Sequence, residues 1–195
     1  MNMRQKQAKA AKAKIVRVTF KLFEKKGCSN VSIGDICSAA KISNGAFYHY
    51  FSSKDQLIVL WTREPLNEKI EKSIVPKIGK VPTKELVVSL ITTALKSTEA
   101  NGLEWSKTFY IASLQLGKSD SYVENLPYNT LLSIIEKGIE KGDLSDKHDA
   151  KFYTDYLFSI LNGAAIGWNQ QGGETDLLKS GKMFIELAYK SISTP

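Results

Sequence analysis

The spacing of apolar residues along the chain predicts a protein built from helices. The pattern i, i+3, i+4, i+7, i+8 is followed by Ile15, Val18, Thr19, Leu22 and Phe23, which places them on one face of an amphipathic helix. Similar periods return between residues 83 and 191, and no segment alternates with the period of two that is typical of strands. The pattern therefore predicts an all-α fold of about nine helices.

Two short helical segments joined by a tight turn are predicted within residues 31–57. Ser32, followed three residues later by Asp35, predicts a capping box at the start of the first segment. Ser43 predicts the N-cap of the second, which is too short to bury much surface and carries three aromatic or imidazole rings in a row. A small, polar helix start suits a helix whose N-terminal end faces outward, as in the second helix of a DNA-binding helix-turn-helix.

The helices on either side have boundary signals of their own. The first helix is expected to become regular near Ala8 and to end at Gly27. Ser52 and Ser53 are alternative caps for the helix that follows the helix-turn-helix. Pro65 should kink or interrupt that helix, because proline lacks a backbone donor.

Basic residues are concentrated at one end of the chain. The protein has 195 residues and a net charge of +7, yet residues 1–60 alone carry eleven Lys and Arg against three Asp and Glu, a net of +8. A basic segment that contains a helix-turn-helix pattern is typical of a module that binds a polyanion. We therefore expect residues 1–55 to form a DNA-binding domain and residues 56–195 to form a larger helical domain.

Cysteine, histidine and apolar content argue against several other functions. Cys28, Cys37, His49 and His148 do not have the spacing of a zinc site, and no nucleophile–base constellation predicts an enzyme, so we expect no metal, cofactor or catalysis. The cysteines are interpreted as small, semi-buried apolar residues, with a thiol redox switch as the alternative. The absence of a signal-peptide pattern and of an apolar run of about 18 residues predicts a cytoplasmic protein without membrane contact.

Residues 15–57 resemble the N-terminal region of the tetracycline-repressor (TetR) family of bacterial transcription regulators. The residues that carry the resemblance at the family's spacing are Leu22, Phe23, Gly27, Ser32, Ile33, Ile36, Ala40, Ile42, Ser43, Gly45, Ala46, Phe47, Tyr48, His49, Tyr50, Phe51 and Lys54. The sequence departs from the family pattern at Gly34, Cys37 and Asn44. Asn44 stands where a basic residue is more common, so the resemblance implies DNA binding without implying which bases are preferred.

The resemblance implies that the helix-turn-helix binds a double-stranded DNA operator. By family position, Ser32, Tyr48 and Lys54 are expected to contact phosphates, which position the protein on DNA. The residues expected to meet base edges, which specify the sequence, are Ser43, Asn44, Gly45, Ala46 and His49. Phe47 and Phe51 are interpreted as core residues that hold the second helix in place.

The resemblance also implies a helical body that binds a small-molecule effector and forms a homodimer. The expected effector is largely apolar, and the candidate pocket residues are aromatic or carry an amide: Trp61, Trp105, Phe109, Tyr110, Gln115, Tyr128, Asn129, Asn162 and Trp168. The candidate dimer residues lie on the last two predicted helices, and the alternative for them is the chain's own core: Tyr153, Leu157, Ile160, Gly163, Ala164, Gly167, Gly181, Phe184 and Ala188.

The sequence therefore predicts a sequence-specific transcriptional regulator. The leading hypothesis is a repressor that its effector releases from a palindromic operator. A low-specificity DNA-binding protein without ligand control is the alternative, and an enzyme built on the helical body is a third.

Overall fold

The computed structural model describes residues 3–117 and 125–194, except for the side chain of Arg4. Nine α-helices and two short 3-10 turns form the regular structure of these residues. The helices are α1 (Met3–Lys26), α2 (Ile33–Ala40), α3 (Asn44–Tyr50), α4 (Lys54–Ser73), α5 (Thr83–Asn101), α6 (Leu103–Leu116), α7 (Leu126–Glu140), α8 (Ala150–Gln170) and α9 (Leu177–Ile192). The 3-10 turns are Cys28–Asn30 and Val75–Lys77. The predicted all-α fold is confirmed.

Two helices differ from their predicted bounds. α1 begins at Met3 rather than near Ala8, because the alanine, lysine and glutamine residues before Ile15 are good helix formers. α4 continues through Pro65 to Ser73, so of the two predicted effects the interruption is wrong, and the kink stays a prediction. Proline removes one backbone donor, and the burial of Thr62 before it and Ile70 after it holds the helix on both sides.

The remaining helices follow the sequence pattern closely. The apolar pattern predicts a turn at residues 117–121 and a helix from Tyr122 to Lys141, and the helix that the structure shows is Leu126–Glu140, with Asn125 as its N-cap residue. Tyr122 itself, and most of the turn expected at residues 117–121, lie outside the described residues. None of the described helices is long and apolar enough to cross a membrane.

The first compact unit contains the described residues up to Trp61 together with Ala112–Leu116. In it α1 packs against α2, and α2 packs against α3. The core side chains come from these three helices, from the segments that follow them and from the start of α4: Ile15, Phe23, Val31, Ile36, Ala40, Phe47, Phe51 and Leu57. This core fixes α3, the predicted recognition helix, from its inner side.

The second compact unit contains Thr62–Ile111 and the described residues after Leu116. In it α5, α7, α8 and α9 pack around one apolar core that includes Leu90, Leu95, Leu131, Ile135, Leu157 and Ile185. α9 and α5 approach closely, because a Cβ at Gly181 would lie 2.3 Å from Leu95 Cδ1. α9 therefore uses Gly181 to bury its inner face against its own chain.

Candidate functional site

The start of α2 is built around the predicted capping box. The Ser32 hydroxyl accepts a hydrogen bond from the Asp35 backbone N–H at 3.1 Å, and the Asp35 carboxylate accepts one from the Ser32 backbone N–H at 2.8 Å. The Ser32 hydroxyl also donates to Asp35. These hydrogen bonds, with the nearby Lys26 ammonium, hold the pKa of Asp35 below its ordinary value. Because the hydroxyl proton is directed at Asp35, a phosphate contact from Ser32 requires that proton to turn away.

Four of the five predicted base-reading residues lie at the start of α3, and the fifth, His49, lies in its last turn. The Ser43 hydroxyl accepts a hydrogen bond from the Ala46 backbone N–H at 3.1 Å, which confirms the predicted N-cap. Asn44, Gly45 and His49 are exposed and Ala46 is half-buried. The start of α3 thus offers an amide and an accessible backbone to a partner, and its last turn offers an imidazole.

The aromatic residues of α3 divide into buried and exposed groups. Phe47 and Phe51 are buried in the core of the first unit, with ring centroids 5.8 Å apart. Tyr48, the predicted phosphate contact, is 57% exposed, and its ring meets the edge of Phe47. Phe47 therefore supports the helix from inside, while the Tyr48 hydroxyl is available outside.

Lys54, at the start of α4, is engaged with the backbone of its own unit. Its ammonium donates hydrogen bonds to the Cys28 carbonyl at 3.1 Å and to the Val31 carbonyl at 3.0 Å. Both carbonyls lie in the turn between α1 and α2. Its phosphate contact stays a prediction, and the structure adds a second role, that of tying the start of α4 to this turn.

Replacing Lys54 by methionine is expected to lower the free energy of unfolding by about 1–3 kcal/mol, because two partly buried carbonyls lose their donor. Urea denaturation checks this, with Lys21→Met as the control at an exposed lysine of α1. Unchanged stability together with weaker DNA binding would mean that Lys54 acts on phosphate alone.

Four of the predicted effector residues come together in the second unit. The Trp105 and Phe109 rings stack with centroids 6.3 Å apart, and Tyr110 packs edge-on against Phe109. The Tyr110 hydroxyl lies 3.5 Å from Asn162 Oδ1, which links α6 to α8. Burial raises the pKa of Tyr110, so this phenol is neutral and can donate a hydrogen bond at physiological pH. We call these four residues the aromatic cluster.

Arg63 of α4 is a neighbour of the aromatic cluster that sequence reasoning missed. Its guanidinium lies over the Phe109 ring, 5.4 Å from the centroid. It also lies close enough to Tyr110 to oppose part of the increase in the pKa of that phenol. A lone arginine in a helical run gives no local signal, because the contact depends on how α4 and α6 pack.

The other predicted effector residues have different surroundings. Tyr128 donates to Asp155 at 2.6 Å. Trp168 is buried beside Gly173, at which a Cβ would lie 3.3 Å from the indole. The remaining three are Trp61, whose ring meets Phe23 at 5.5 Å, and the exposed residues Gln115 and Asn129.

The predicted dimer residues separate into an inner and an outer set. Tyr153, Leu157 and Gly181 are buried within the second unit, so they serve the chain's own core. At Gly163 and Gly167, an added Cβ would meet nothing within 4 Å, so these small residues of α8 are open.

An apolar groove of about 430 Å³ runs between the outer faces of α8 and α9, and its lining residues are Tyr156, Ile160, Gly163, Ala164, Phe184, Leu187 and Ala188. Five of these were predicted for the dimer interface. Tyr156 and Leu187, and the neighbouring Met183, were not among the predicted residues, although all three are exposed apolar or aromatic side chains. We call the groove with Met183 the α8–α9 face. The apolar residues of this face have the same helical spacing as residues of a buried core, so only the fold shows that these side chains point outward.

Cys28 and Cys37 are not joined by a disulfide. Both are free thiols, and burial raises the pKa of Cys37, which makes the reactive thiolate less accessible. Within residues 3–117 and 125–194, no cluster of three His, Cys, Asp or Glu side chains is arranged to hold a metal ion.

The chain is similar in sequence to known bacterial transcription regulators. The sequence profile described as "Bacterial regulatory proteins, tetR family" matches residues 15–59. The chain is 20% identical over 190 residues to the fatty acid metabolism regulator protein of Bacillus subtilis, covering 96% of this chain and 98% of that protein. It is also 20% identical over 190 residues to the HTH-type transcriptional repressor KstR2 of Rhodococcus jostii, covering 94% and 92% of the two chains.

The whole fold also matches solved structures. The crystal structure of Thermus thermophilus FadR, a repressor in complex with lauroyl-CoA, aligns with a TM-score of 0.74. The alignment covers 94% of this chain and 96% of that one at 17% identity, so it supports the fold of both compact units.

Proposed function

This chain belongs to the TetR family of bacterial transcriptional regulators, and from that premise we propose that it is a cytoplasmic homodimeric repressor. In this proposal it binds a palindromic operator through α2 and α3. An effector with a long apolar chain, of which an acyl thioester of coenzyme A is the first candidate, then releases it. The relatives that it matches are transcriptional regulators, and we propose no enzymatic role.

The surface of α3 supports operator binding. Asn44 and His49 are exposed beside the open backbone at Gly45, which suits hydrogen bonding to base edges in the major groove. Tyr48 is exposed on the same helix and can donate to phosphate. The basic excess of residues 1–60 supplies the attraction to DNA that does not depend on sequence.

The α8–α9 face supports a two-fold dimer. Phe184 and Leu187 are exposed large apolar side chains beside a groove, and contiguous apolar surface of this kind marks interaction sites. Gly163 and Gly167 leave room for close approach of a second helix. A two-fold axis through this face would repeat the helix-turn-helix for the two half-sites of a palindrome, about 34–36 Å apart.

The aromatic cluster with Arg63 is the observation that carries the effector proposal. Trp105 and Phe109 offer apolar contact, Tyr110 and Asn162 offer polar groups, and Arg63 offers a cation suited to an anionic group. Relatives named for fatty acid metabolism and solved with an acyl-CoA support the choice of ligand class.

α4 provides a physical route between effector and DNA. It is one continuous helix that begins with Lys54, bonded to the turn before α2, and carries Arg63 nine residues later. A ligand that binds better when Arg63 is displaced would bias the position of the helix. The resulting coupling free energy acts equally on effector and operator affinity.

The proposed function is tested by selecting operators from a random DNA pool and measuring their affinity at fixed salt. We expect a palindromic sequence to be bound far more tightly than bulk DNA, and lauroyl-CoA or stearoyl-CoA to weaken that binding by about 5–150-fold. Free coenzyme A is the control for the headgroup, and Arg63→Gln should reduce the response.

Each contrary outcome points to a different part of the proposal. Equal affinity for the palindrome and for bulk DNA would favour a low-specificity DNA-binding protein. Acyl-CoA binding without any change in operator affinity would refute ligand control, and release by a steroid thioester but not by a straight-chain one would replace the effector class.

A further inference from the structure

The turn between α2 and α3 contains a residue in an unfavourable backbone conformation. Lys41 has φ 56° and ψ 53°, and among the described residues every other one with positive φ is a glycine. Its backbone N–H donates to the Ser38 carbonyl at 3.2 Å, and the Ile42 N–H donates to the Cys37 carbonyl at 3.0 Å. This is the Schellman ending of a helix, in which glycine is the favoured residue at the left-handed position.

A lysine at this position costs stability that glycine would not, because its Cβ crowds the backbone in the left-handed region. Such conformations cluster at functional sites. What lysine adds over glycine is a long side chain with a positive charge. Lys41 is exposed, and its ammonium has no hydrogen bond or ion pair with any described residue.

The other lysine of the helix-turn-helix region, Lys54, is less available for a contact with DNA phosphate. Between Gly27 and the start of α4 the sequence contains two lysines, Lys41 and Lys54. The Lys54 ammonium is held by two carbonyls, whereas Lys41 stands two residues before Ser43, the N-cap of α3. In a helix-turn-helix the start of the second helix enters the major groove, which is bordered by phosphates.

We propose that Lys41 is a DNA-phosphate contact of this protein, kept in the turn at the expense of stability. The inference rests on the proposed function, because it requires that α3 binds DNA. It adds to Ser32, Tyr48 and Lys54 a contact whose charge is already free in the unbound protein. Since phosphate carries no sequence information, Lys41 should raise affinity for all DNA alike.

Three substitutions separate the charge of Lys41 from its backbone strain. Lys41→Gly removes both, Lys41→Gln removes the charge and keeps the strain, and Lys41→Arg keeps both. We expect Lys41→Gly to raise the midpoint of thermal unfolding by about 2–4 °C, while Lys41→Gln leaves it nearly unchanged.

Glycine and glutamine at position 41 should each weaken DNA binding by about two- to fivefold per contact. Both should also reduce the slope of log affinity against log salt by about one per bound protomer. Arginine should preserve affinity and slope. Lys80→Gln, which removes an exposed charge in the second unit, is the matched control and should change neither.

Two failures are distinguishable. If the wild-type protein prefers no operator over bulk DNA, the proposed function falls and this inference falls with it. If the wild-type protein binds its operator and Lys41→Gly and Lys41→Gln bind it with the same affinity and salt slope, the Lys41 contact alone is overturned.

Discussion

Replacing Leu187 by lysine is expected to convert the proposed homodimer into monomers and to lower operator affinity by about 10²–10⁴-fold. Leu187 is 64% exposed on α9 and lines the apolar groove of the α8–α9 face. In a two-fold dimer each substitution occurs twice at one interface, so two ammonium groups would lose water without gaining a partner. The penalty for burying unpaired charges is several kcal/mol per ion, more than an interface of modest size can offset.

Sedimentation equilibrium and operator titration check this expectation together. Val75→Lys places the same charge on an exposed apolar residue of the second 3-10 turn, outside the α8–α9 face, and should remain dimeric. Phe184→Asp should repeat the effect of Leu187→Lys. Because Leu187 is exposed, circular dichroism should show an intact fold, and half-site DNA should still bind weakly. A dimeric Leu187→Lys with full operator affinity would place the dimer interface elsewhere.

The helix boundaries that could be predicted from sequence are those decided by near neighbours. The capping box of Ser32 and Asp35 and the cap at Ser43 involve residues three apart, so their pattern is readable in the chain. The stop at Gly27 is local in the same sense, and Gly27 has the expected positive φ of 75°. These local features also positioned the helix-turn-helix correctly.

What could not be predicted depends on packing between distant segments. The continuation of α4 through Pro65 depends on burial of residues on both sides of it, and Lys54 bonds to carbonyls 23 and 26 residues away. Neither feature can be recognised from the residues that are close in sequence.

The same limit explains the mixed result for the dimer residues. Periodicity identified apolar stripes on α8 and α9. When a helix is apolar on two sides, however, the spacing of its apolar residues does not show which side is buried. The close contact of Gly181 with Leu95 decides which side is internal. Leu187 and Met183 are left on the outside for that reason, and only three-dimensional packing could show it.

Phe47 and Tyr48 are adjacent residues of α3. We expect replacement of Phe47 to lower stability, and replacement of Tyr48 to weaken DNA binding while stability stays nearly unchanged. Phe47→Ala should lower the free energy of unfolding of the first unit by about 3–5 kcal/mol, because Phe47 is fully buried. A unit of this size has a small core whose total stability is about 3–5 kcal/mol. DNA binding should therefore be lost through unfolding of the unit that contains α3.

Tyr48→Phe and Tyr48→Ala should change stability by less than about 0.5 kcal/mol, because the side chain is mainly exposed. Both should weaken operator binding, since the hydroxyl is the group predicted to contact phosphate. Thermal unfolding followed by circular dichroism, with DNA titration of the same samples, separates the two residues. If Tyr48→Phe binds DNA as the wild type does, Tyr48 has no phosphate contact. If Phe47→Ala keeps its melting profile while losing DNA binding, Phe47 acts at the DNA surface rather than in the core.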